Sequence, residues 1–144
     1  MIALDTNILV YAHRADNKFY PAASEHVERL AEGHDAWAIP CSCIHEFYGV
    51  VTNRRIFPMP SPKEVALAQI AAWLASPRLV LLHEGPDHWN LLRELIDAGQ
   101  SLGSMVHDAR IAALCVTHGV RELWSADRDF NRFPQLTVCN PLIG

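Results

Sequence analysis

The stretch Ile2-Ala3-Leu4-Asp5-Thr6-Asn7 decides the fold class of this chain. Its first three residues are apolar on both faces, which is typical of a strand buried in a parallel sheet. The next three are all residue types that cap the N-terminus of a helix, and an apolar helical pattern follows them. We therefore predict a short buried strand that passes directly into a helix, which is the unit from which α/β folds are built.

The same alternation of strand and helix continues along the sequence. Further strands are predicted at residues 37–39, 79–82 and 122–125, with residues 136–138 as a fifth strand at an edge. Helical patterns lie at about residues 22–32, 41–51, 62–74, 86–99 and 105–117. The order predicts a three-layer α/β/α sandwich with a mainly parallel sheet of four or five strands, in a single domain over residues 1–144.

Prolines set several of the expected boundaries. Pro40 suits the first turn of the third helix, and Pro86 opens the fifth. Ser61 is expected to cap the fourth helix, with Pro62 at its first position. Residues 53–60, which contain two more prolines, predict an exposed loop.

The composition excludes several classes of protein. The chain has 12 Lys and Arg against 16 Asp and Glu, so its formal net charge is −4. This charge argues against a broad basic surface for duplex nucleic acid but allows a local site. No apolar stretch is long enough to span a membrane, and residues 1–11 lack the basic region of a signal peptide. We therefore expect a cytoplasmic protein with no membrane contact, in which the four cysteines are free thiols. We do not expect a structural zinc site, because Cys41 and Cys43 lack a second pair of zinc ligands.

Four acidic residues fall where a ligand site of an α/β protein is expected. Ligands of such folds bind beyond the carboxyl ends of the strands, and Asp5 and Asp127 follow two predicted strands. Glu46 and Asp108 share helix faces with apolar residues, where a carboxylate is costly unless it is paired or binds a metal. Each acid alone has a simpler interpretation: a helix cap, a turn former, a solvated helix edge, or an ion-pair partner of Arg110.

Together, four carboxylates in one cleft indicate a site for a hard cation. Close carboxylates raise one another's pKa, and Mg²⁺ or Mn²⁺ removes this repulsion. Such ions activate water for attack on a phosphodiester. We expect Asp5, Asp108 and Asp127 to be the principal ligands and Glu46 to bind a second ion or position water. The arginines that could hold the substrate backbone, although each taken alone is better explained as an ordinary surface charge, are Arg14, Arg110, Arg128 and Arg132.

Two histidines stand next to these acids in the sequence. His45 precedes Glu46 and His107 precedes Asp108. One step along a helix turns the side chain by about 100°, so a histidine next to an acid does not share its direction. We therefore interpret both histidines as packing or supporting residues and not as general bases.

Four motifs in order resemble those of a known family. They are Met1-Ile2-Ala3-Leu4-Asp5-Thr6-Asn7, Cys43-Ile44-His45-Glu46-Phe47, His107-Asp108-Ala109-Arg110-Ile111-Ala112-Ala113-Leu114 and Trp124-Ser125-Ala126-Asp127-Arg128-Asp129-Phe130. Their order and spacing over the whole chain resemble the PIN domain, and in particular the ribonuclease toxins of bacterial VapBC toxin–antitoxin modules. The resemblance implies a metal-dependent endoribonuclease that forms a homodimer and is covered at its active-site groove by a cognate antitoxin.

The resemblance also implies roles for individual residues. The four acidic positions of the family map onto Asp5, Glu46, Asp108 and Asp127. The polar residues that would orient the ligands or water are Asn7 and Ser125, with Thr6 and Asp129 beside them. Asp129 leaves open which aspartate of the fourth motif lies nearer the metal; we favour Asp127, because it lies nearer the end of its strand.

Two other functions remain open from the sequence. A phosphatase or phosphoacceptor domain could use Asp5 as its nucleophile, but both lysines, Lys18 and Lys63, lie outside the acidic motifs. A binding module with no catalytic activity would use the acids only as caps. Formation of an acyl-phosphate on Asp5 would favour the first of these functions, and a lack of any response to Mg²⁺ or Mn²⁺ would favour the second.

Overall fold

The computed structural model describes residues 1–143 and shows a sheet of five parallel strands. The strands are β1 (Ile2–Leu4), β2 (Trp37–Pro40), β3 (Leu79–Leu82), β4 (Glu122–Trp124) and β5 (Val138–Cys139). Their order across the sheet is β3-β2-β1-β4-β5, and every neighbouring pair is parallel. The expected parallel sheet, including its fifth strand at an edge, is confirmed.

Six helices connect and cover these strands. They are α1 (Thr6–His13), α2 (Tyr20–Glu32), α3 (Cys41–Val51), α4 (Lys63–Leu74), α5 (His88–Gly99) and α6 (Val106–Thr117). Helix α1 packs on α2 and α3, α3 packs on α4, and α5 packs on α6. Crossovers between parallel strands are right-handed in nearly all proteins, and with the strand order β3-β2-β1-β4-β5 this handedness assigns the two groups to opposite faces of the sheet. The three-layer α/β/α sandwich predicted from the sequence is therefore confirmed.

The strand order places β1 at the centre of the molecule. The chain moves from β1 to β2 and β3 on one side, and then returns to add β4 and β5 on the other. Ile2 lies in register with Trp37 of β2 and with Glu122 of β4. The order of the sheet thus reverses between β1 and β4, and ligands of doubly wound sheets bind at such a reversal.

The core is continuous around the central strands. Ala3 and Leu4 of β1 are fully buried, as are Trp37 of β2 and Phe47 of α3. The ring of Trp73 in α4 packs edge-on against Phe47, with 4.8 Å between the ring centroids. This packing fixes the directions of the elements whose ends carry the acidic residues.

The start of α4 differs from the prediction. Helix α4 begins at Lys63 with Pro62 as its N-cap, and Ser61 does not cap it. The Ser61 hydroxyl is buried and contacts the Nε2 atom of His13 at 2.9 Å and Nη1 of Arg14 at 3.3 Å. The Ser61 hydroxyl thus makes a tertiary contact with the end of α1 and does not form the α4 cap that the local sequence predicts.

Smaller differences occur at other boundaries. Pro40 ends β2 and is the N-cap of α3, one position before the first turn. Helix α5 starts at His88, two residues after Pro86, and β5 covers Val138–Cys139. The four cysteines are free thiols, as expected. No helix among the described residues is both long enough and apolar enough to cross a membrane.

Candidate metal centre

Asp5 lies at the point where β1 passes into α1. It is the N-cap of α1 and is only 6% exposed. Its Oδ1 atom accepts a hydrogen bond of 2.7 Å from the Thr6 amide, and its Oδ2 atom accepts one of 2.7 Å from the Ser125 hydroxyl. The carboxylate is therefore held in one orientation at the central strand of the sheet.

Ser125 joins the ends of β1 and β4. It is 2% exposed, and its hydroxyl, besides donating to Asp5, accepts hydrogen bonds from the Asp127 amide at 3.0 Å and from Nδ2 of Asn7 at 3.4 Å. The Oδ1 atom of Asn7 in turn accepts from the Ala126 amide at 3.2 Å. The segment after β4 is thus fastened to the start of α1 by side chains on both sides.

Three aspartates form a group that does not include Asp5. One carboxylate oxygen from each of Asp108, Asp127 and Asp129 lies within 4.8 Å of the other two. Asp108 lies in the first turn of α6. Asp127 caps the 3₁₀ turn Arg128–Arg132, where its Oδ1 atom accepts from the Asp129 amide at 2.9 Å. This turn brings Asp127 and Asp129 together, so the structure places both near Asp108 and does not separate them.

The site is strongly acidic, and the pKa values reflect this. Burial raises the pKa of Asp5 from 3.8 to about 6; hydrogen bonds from Ser125 and Thr6 lower it, and the charges of Glu46 and Asp108 raise it. Burial also raises the pKa of Asp108, and the charges of Asp127, Asp129 and Glu46 add to this effect. Burial, and to a smaller extent neighbouring negative charge, thus disfavours the ionised form of both carboxylates, and a bound cation would offset this penalty.

Glu46 stands at the edge of this group. Its charge acts on both Asp5 and Asp108, but its side chain is exposed on α3. It lines a cleft of about 370 Å³. The expectation that apolar neighbours desolvate Glu46 is wrong, because Cys43 turns into the core while Glu46 faces the solvent.

The same cleft contains the two histidines. His45 and His107 are both exposed and line it with Ser42, Arg110 and Ile111. Their interpretation as packing residues is therefore wrong. The spacing of residues could have predicted this position of the histidines. Ser42 and His45 are three residues apart in α3, as are His107 and Arg110 in α6, so each pair shares a helix face, and that face lines the cleft.

The four arginines have different positions. Arg14 lies at the end of α1 opposite Asp5, pairs with Asp16, and stacks 4.2 Å from the ring centroid of Phe57. Arg110 lines the cleft and forms an ion pair with Glu84, not with Asp108. Thus the structure does not bring Arg14 to the acidic group.

The other two arginines lie near the aspartates. Arg132 lies 3.8 Å from Asp129 across their ion pair, and its charge lowers the pKa of Asp108. Arg128 is exposed and lines a cavity beside Asp127. Arg128 and Arg132 therefore lie beside the aspartates, whereas Arg110 lines the cleft that contains Glu46.

The donor set fits a hard divalent cation. The three clustered aspartates supply only carboxylate oxygens, which Mg²⁺ and Mn²⁺ prefer. The Cys43 thiol lies 3.9 Å from Oδ1 of Asp5, and burial holds the pKa of this thiol well above its usual value and so keeps it neutral. The Thr6 hydroxyl is buried at the same place, with no hydrogen-bond partner among the described residues.

Comparisons with known proteins agree with this geometry. A family model described as PIN domain matches residues 2–136. The ribonucleases VapC43 and VapC31 of Mycobacterium tuberculosis are 38% and 36% identical to the chain; the alignments cover 100% and 98% of this chain and 97% and 99% of theirs. In the crystal structure of VapBC2 from Rickettsia felis bound to a promoter DNA fragment, one chain superposes with a TM-score of 0.66 at 27% identity, covering 97% of this chain and 98% of its own.

Proposed function

Because this chain belongs to the PIN-domain family and, within it, to the VapC ribonucleases, we propose that it is a metal-dependent endoribonuclease whose acidic centre holds Mg²⁺ or Mn²⁺. The observation that supports this proposal best is the convergence of Asp108, Asp127 and Asp129 within 4.8 Å. The buried Asp5 lies outside this group and is connected to it by the Ser125 hydroxyl, which binds both Asp5 and the Asp127 amide. Neither a helix cap nor a turn requires three negative charges in one place, so these structural roles do not explain the group.

We assign the following roles to the residues of the site. Asp108 and Asp127 are principal ligands, and Asp129 is close enough to join them. We also assign Asp5 as a principal ligand, although it lies outside that group of three, at the buried end of β1. Ser125 fixes one oxygen of Asp5 and the amide of Asp127. When bound, the divalent cation supplies Lewis-acid activation of water and neutralises charge at the phosphodiester.

Glu46 is placed to position a water molecule and does not lie at the centre of the ligand set. It is exposed at the cleft beside the aspartates, and its longer side chain reaches from α3 toward the solvent side. Arg128 and Arg132 lie beside the aspartates and Arg110 lines the cleft that contains Glu46, so these three side chains would contact the RNA strand. We do not assign RNA contact to Arg14, which is engaged by Asp16 and Phe57.

The relatives also indicate the partners. Chains named VapC belong to toxin–antitoxin pairs, and the Rickettsia felis structure contains such a pair. We propose that this chain is the toxin of a VapBC module, with RNA as its substrate and a cognate antitoxin as its inhibitor. The homodimer and the single domain over residues 1–144 stay predictions.

The phosphatase alternative fits the geometry poorly. Both oxygens of Asp5 accept hydrogen bonds, and the residue is 6% exposed. A nucleophilic carboxylate needs a free oxygen directed at the substrate. A carboxylate that accepts a hydrogen bond at each oxygen can still share a lone pair with a cation, so Asp5 is better suited to be a metal ligand than to attack phosphorus.

Cleavage of RNA by the purified protein tests the proposal. We expect total cellular RNA to be cut in the presence of Mg²⁺ or Mn²⁺ and to remain intact in EDTA. Asp108→Asn should abolish cleavage, because it removes one of the clustered carboxylates. The matched control is Asp97→Asn, an exposed aspartate on α5, which should cleave like the unaltered protein.

Expression without the antitoxin provides a second test. The unaltered protein should arrest growth, and Asp5→Ala should relieve the arrest. Equal arrest by both proteins, or equal cleavage by Asp108→Asn and Asp97→Asn, would contradict the nuclease mechanism and favour a binding module.

A further inference from the structure

We propose that the cavity beside Asp127 binds one nucleobase of the RNA and sets the base preference at the cleavage site. The inference rests on the proposed nuclease function. The cavity has a volume of about 350 Å³ and lies between the 3₁₀ turn Arg128–Arg132 and the segment after β5. This volume is at the lower end of the range of small-molecule sites, which suits a single nucleotide.

The cavity contains polar side chains with free hydrogen-bonding groups. The Oδ1 atom of Asn140 accepts from the Leu142 amide at 3.0 Å, and no described residue contacts its Nδ2 group. Asn131 is exposed, and its side chain makes no hydrogen bond within residues 1–143. Arg128 forms no ion pair with the part of the chain that the structure describes. Three groups are thus directed at a cavity where the protein gives them no partner.

These side chains are the types that read the edges of bases. Carboxamides offer a donor and an acceptor together, and a guanidinium offers paired donors, so each can form two hydrogen bonds with a base. Val138 and Ile143 supply an apolar wall in the same cavity. A flat, neutral heterocycle with polar edges therefore matches the lining.

The charge of the lining distinguishes a base from a phosphate. Asp127 lines the cavity, and Asp129 follows it on the same turn. Two carboxylates stand against one guanidinium, that of Arg128, so a phosphate placed there would meet net repulsion, whereas an uncharged base meets no such penalty. The phosphate would instead lie at the aspartate cluster, where a cation offsets its charge.

The position of the cavity couples it to the reaction. Asp127 belongs both to the cavity wall and to the aspartate cluster. The base in the cavity is therefore next to the scissile phosphate in the RNA. The wall is held in place, because Ser125 binds the Asp127 amide and Asn7 binds the Ala126 amide.

The test uses RNA cut by the unaltered protein. The cleavage site is first mapped by sequencing RNA ends after incubation of total RNA with the protein and Mn²⁺. Four versions of the cleaved oligonucleotide are then made for each position flanking the scissile bond, and kcat/KM is measured for each. We expect the unaltered protein to prefer one base at one flanking position, by roughly 5- to 150-fold, as one bidentate contact provides.

Variants assign this preference to the cavity. Asn140→Asp retains the acceptor for the Leu142 amide but exchanges the free amide group for an oxygen, so the order of preferred bases should change. Asn131→Ala and Arg128→Gln should reduce the preference. The controls are Asn90→Asp and Arg93→Gln, exposed residues of α5, which should leave the preference unchanged.

Each outcome bears on one proposal or the other. Cleavage with a base preference that all three cavity variants retain would overturn the inference while leaving the nuclease function intact. Cleavage with no base preference would do the same, as would variants that alter only the affinity for the antitoxin. An absence of any metal-dependent cleavage would instead contradict the proposed function itself.

Discussion

At the scale of single residues, Asp5 opposes the stability of the fold that holds it. Its pKa is raised from 3.8 to about 6, mainly by burial. Between these two pH values the folded protein binds more protons than the unfolded chain, so the free energy of unfolding falls as pH rises through this window. Above pH 6, this pKa shift corresponds to a decrease of about 3 kcal/mol in the free energy of unfolding. The hydrogen bonds from Ser125 and Thr6 already make this decrease smaller than burial alone would.

Asp5→Asn should therefore stabilise the metal-free protein at pH 8. We expect a gain of about 1–3 kcal/mol at pH 8 and little change at about pH 3, which lies below both pKa values, so that the aspartate is mostly protonated in both states. Urea unfolding at the two pH values measures this difference. Asp97→Asn is the control and should behave alike at both; a pH-independent effect of Asp5→Asn would show that the charge is not the cause.

Ser125→Ala tests the hydroxyl that connects the ends of β1 and β4. The change removes a donor to Asp5 and leaves the Asp127 amide without its acceptor. We expect a loss of about 1–3 kcal/mol in the free energy of unfolding and a further rise in the pKa of Asp5. Denaturation as a function of pH measures both, with exposed Ser104→Ala as the control. A loss no larger than that of Ser104→Ala would contradict this role.

At the scale of elements, the end of α5 contains two neighbouring positions with opposite requirements. Gln100 has φ 50° and ψ 45°, a left-handed conformation that glycine adopts without cost. Gln100→Gly should raise the free energy of unfolding by up to about 1 kcal/mol. A Cβ on Gly99, in contrast, would lie 2.8 Å from Cε1 of the buried Phe133, so Gly99→Ala should destabilise the protein.

Chemical denaturation of the two variants checks these opposite signs. The same sign for both would show that α5 ends differently in solution.

The order of the elements could be predicted because each strand and helix has a local signal. The apolar Ile2–Leu4 run and the capping residues after it specify β1 and α1 without reference to the rest of the chain. The role of Ser61 could not be predicted, because a tertiary contact with His13 outweighs the local preference for a helix cap.

The candidate site shows the same division. Asp5 could be placed from the end of its strand alone. Asp129 lies close to Asp108 because of the conformation of the 3₁₀ turn after Asp127, and the sequence has no periodic signal that predicts this turn. The exposure of Glu46 depends on the rotation of α3, which the buried Cys43 and Phe47 determine.

At the scale of the whole molecule, metal binding should raise the melting temperature. An ion that binds only the folded state stabilises it by about 2.7 kcal/mol at 100 times its Kd. For a chain of this length we expect a rise of roughly 5–11 °C. Titration with MnCl₂ or MgCl₂ followed by thermal unfolding measures this shift.

The aspartate variants assign the shift to the site. Asp108→Asn should lose most of it, and Asp97→Asn should retain it. A rise of equal size in both variants, or no rise with either ion, would contradict a metal centre formed by these aspartates.

The hydrogen bond between Ser125 and Asp5 joins residues 120 positions apart. During synthesis the ribosome releases β1 early, but the partners of Asp5 emerge only after most of the chain has been made. A nascent toxin therefore has no assembled acidic centre, and a product that stops before residue 125 cannot acquire one. Incomplete translation of the message would thus yield harmless fragments, so the host is exposed to cleavage only by chains extended past Asp127.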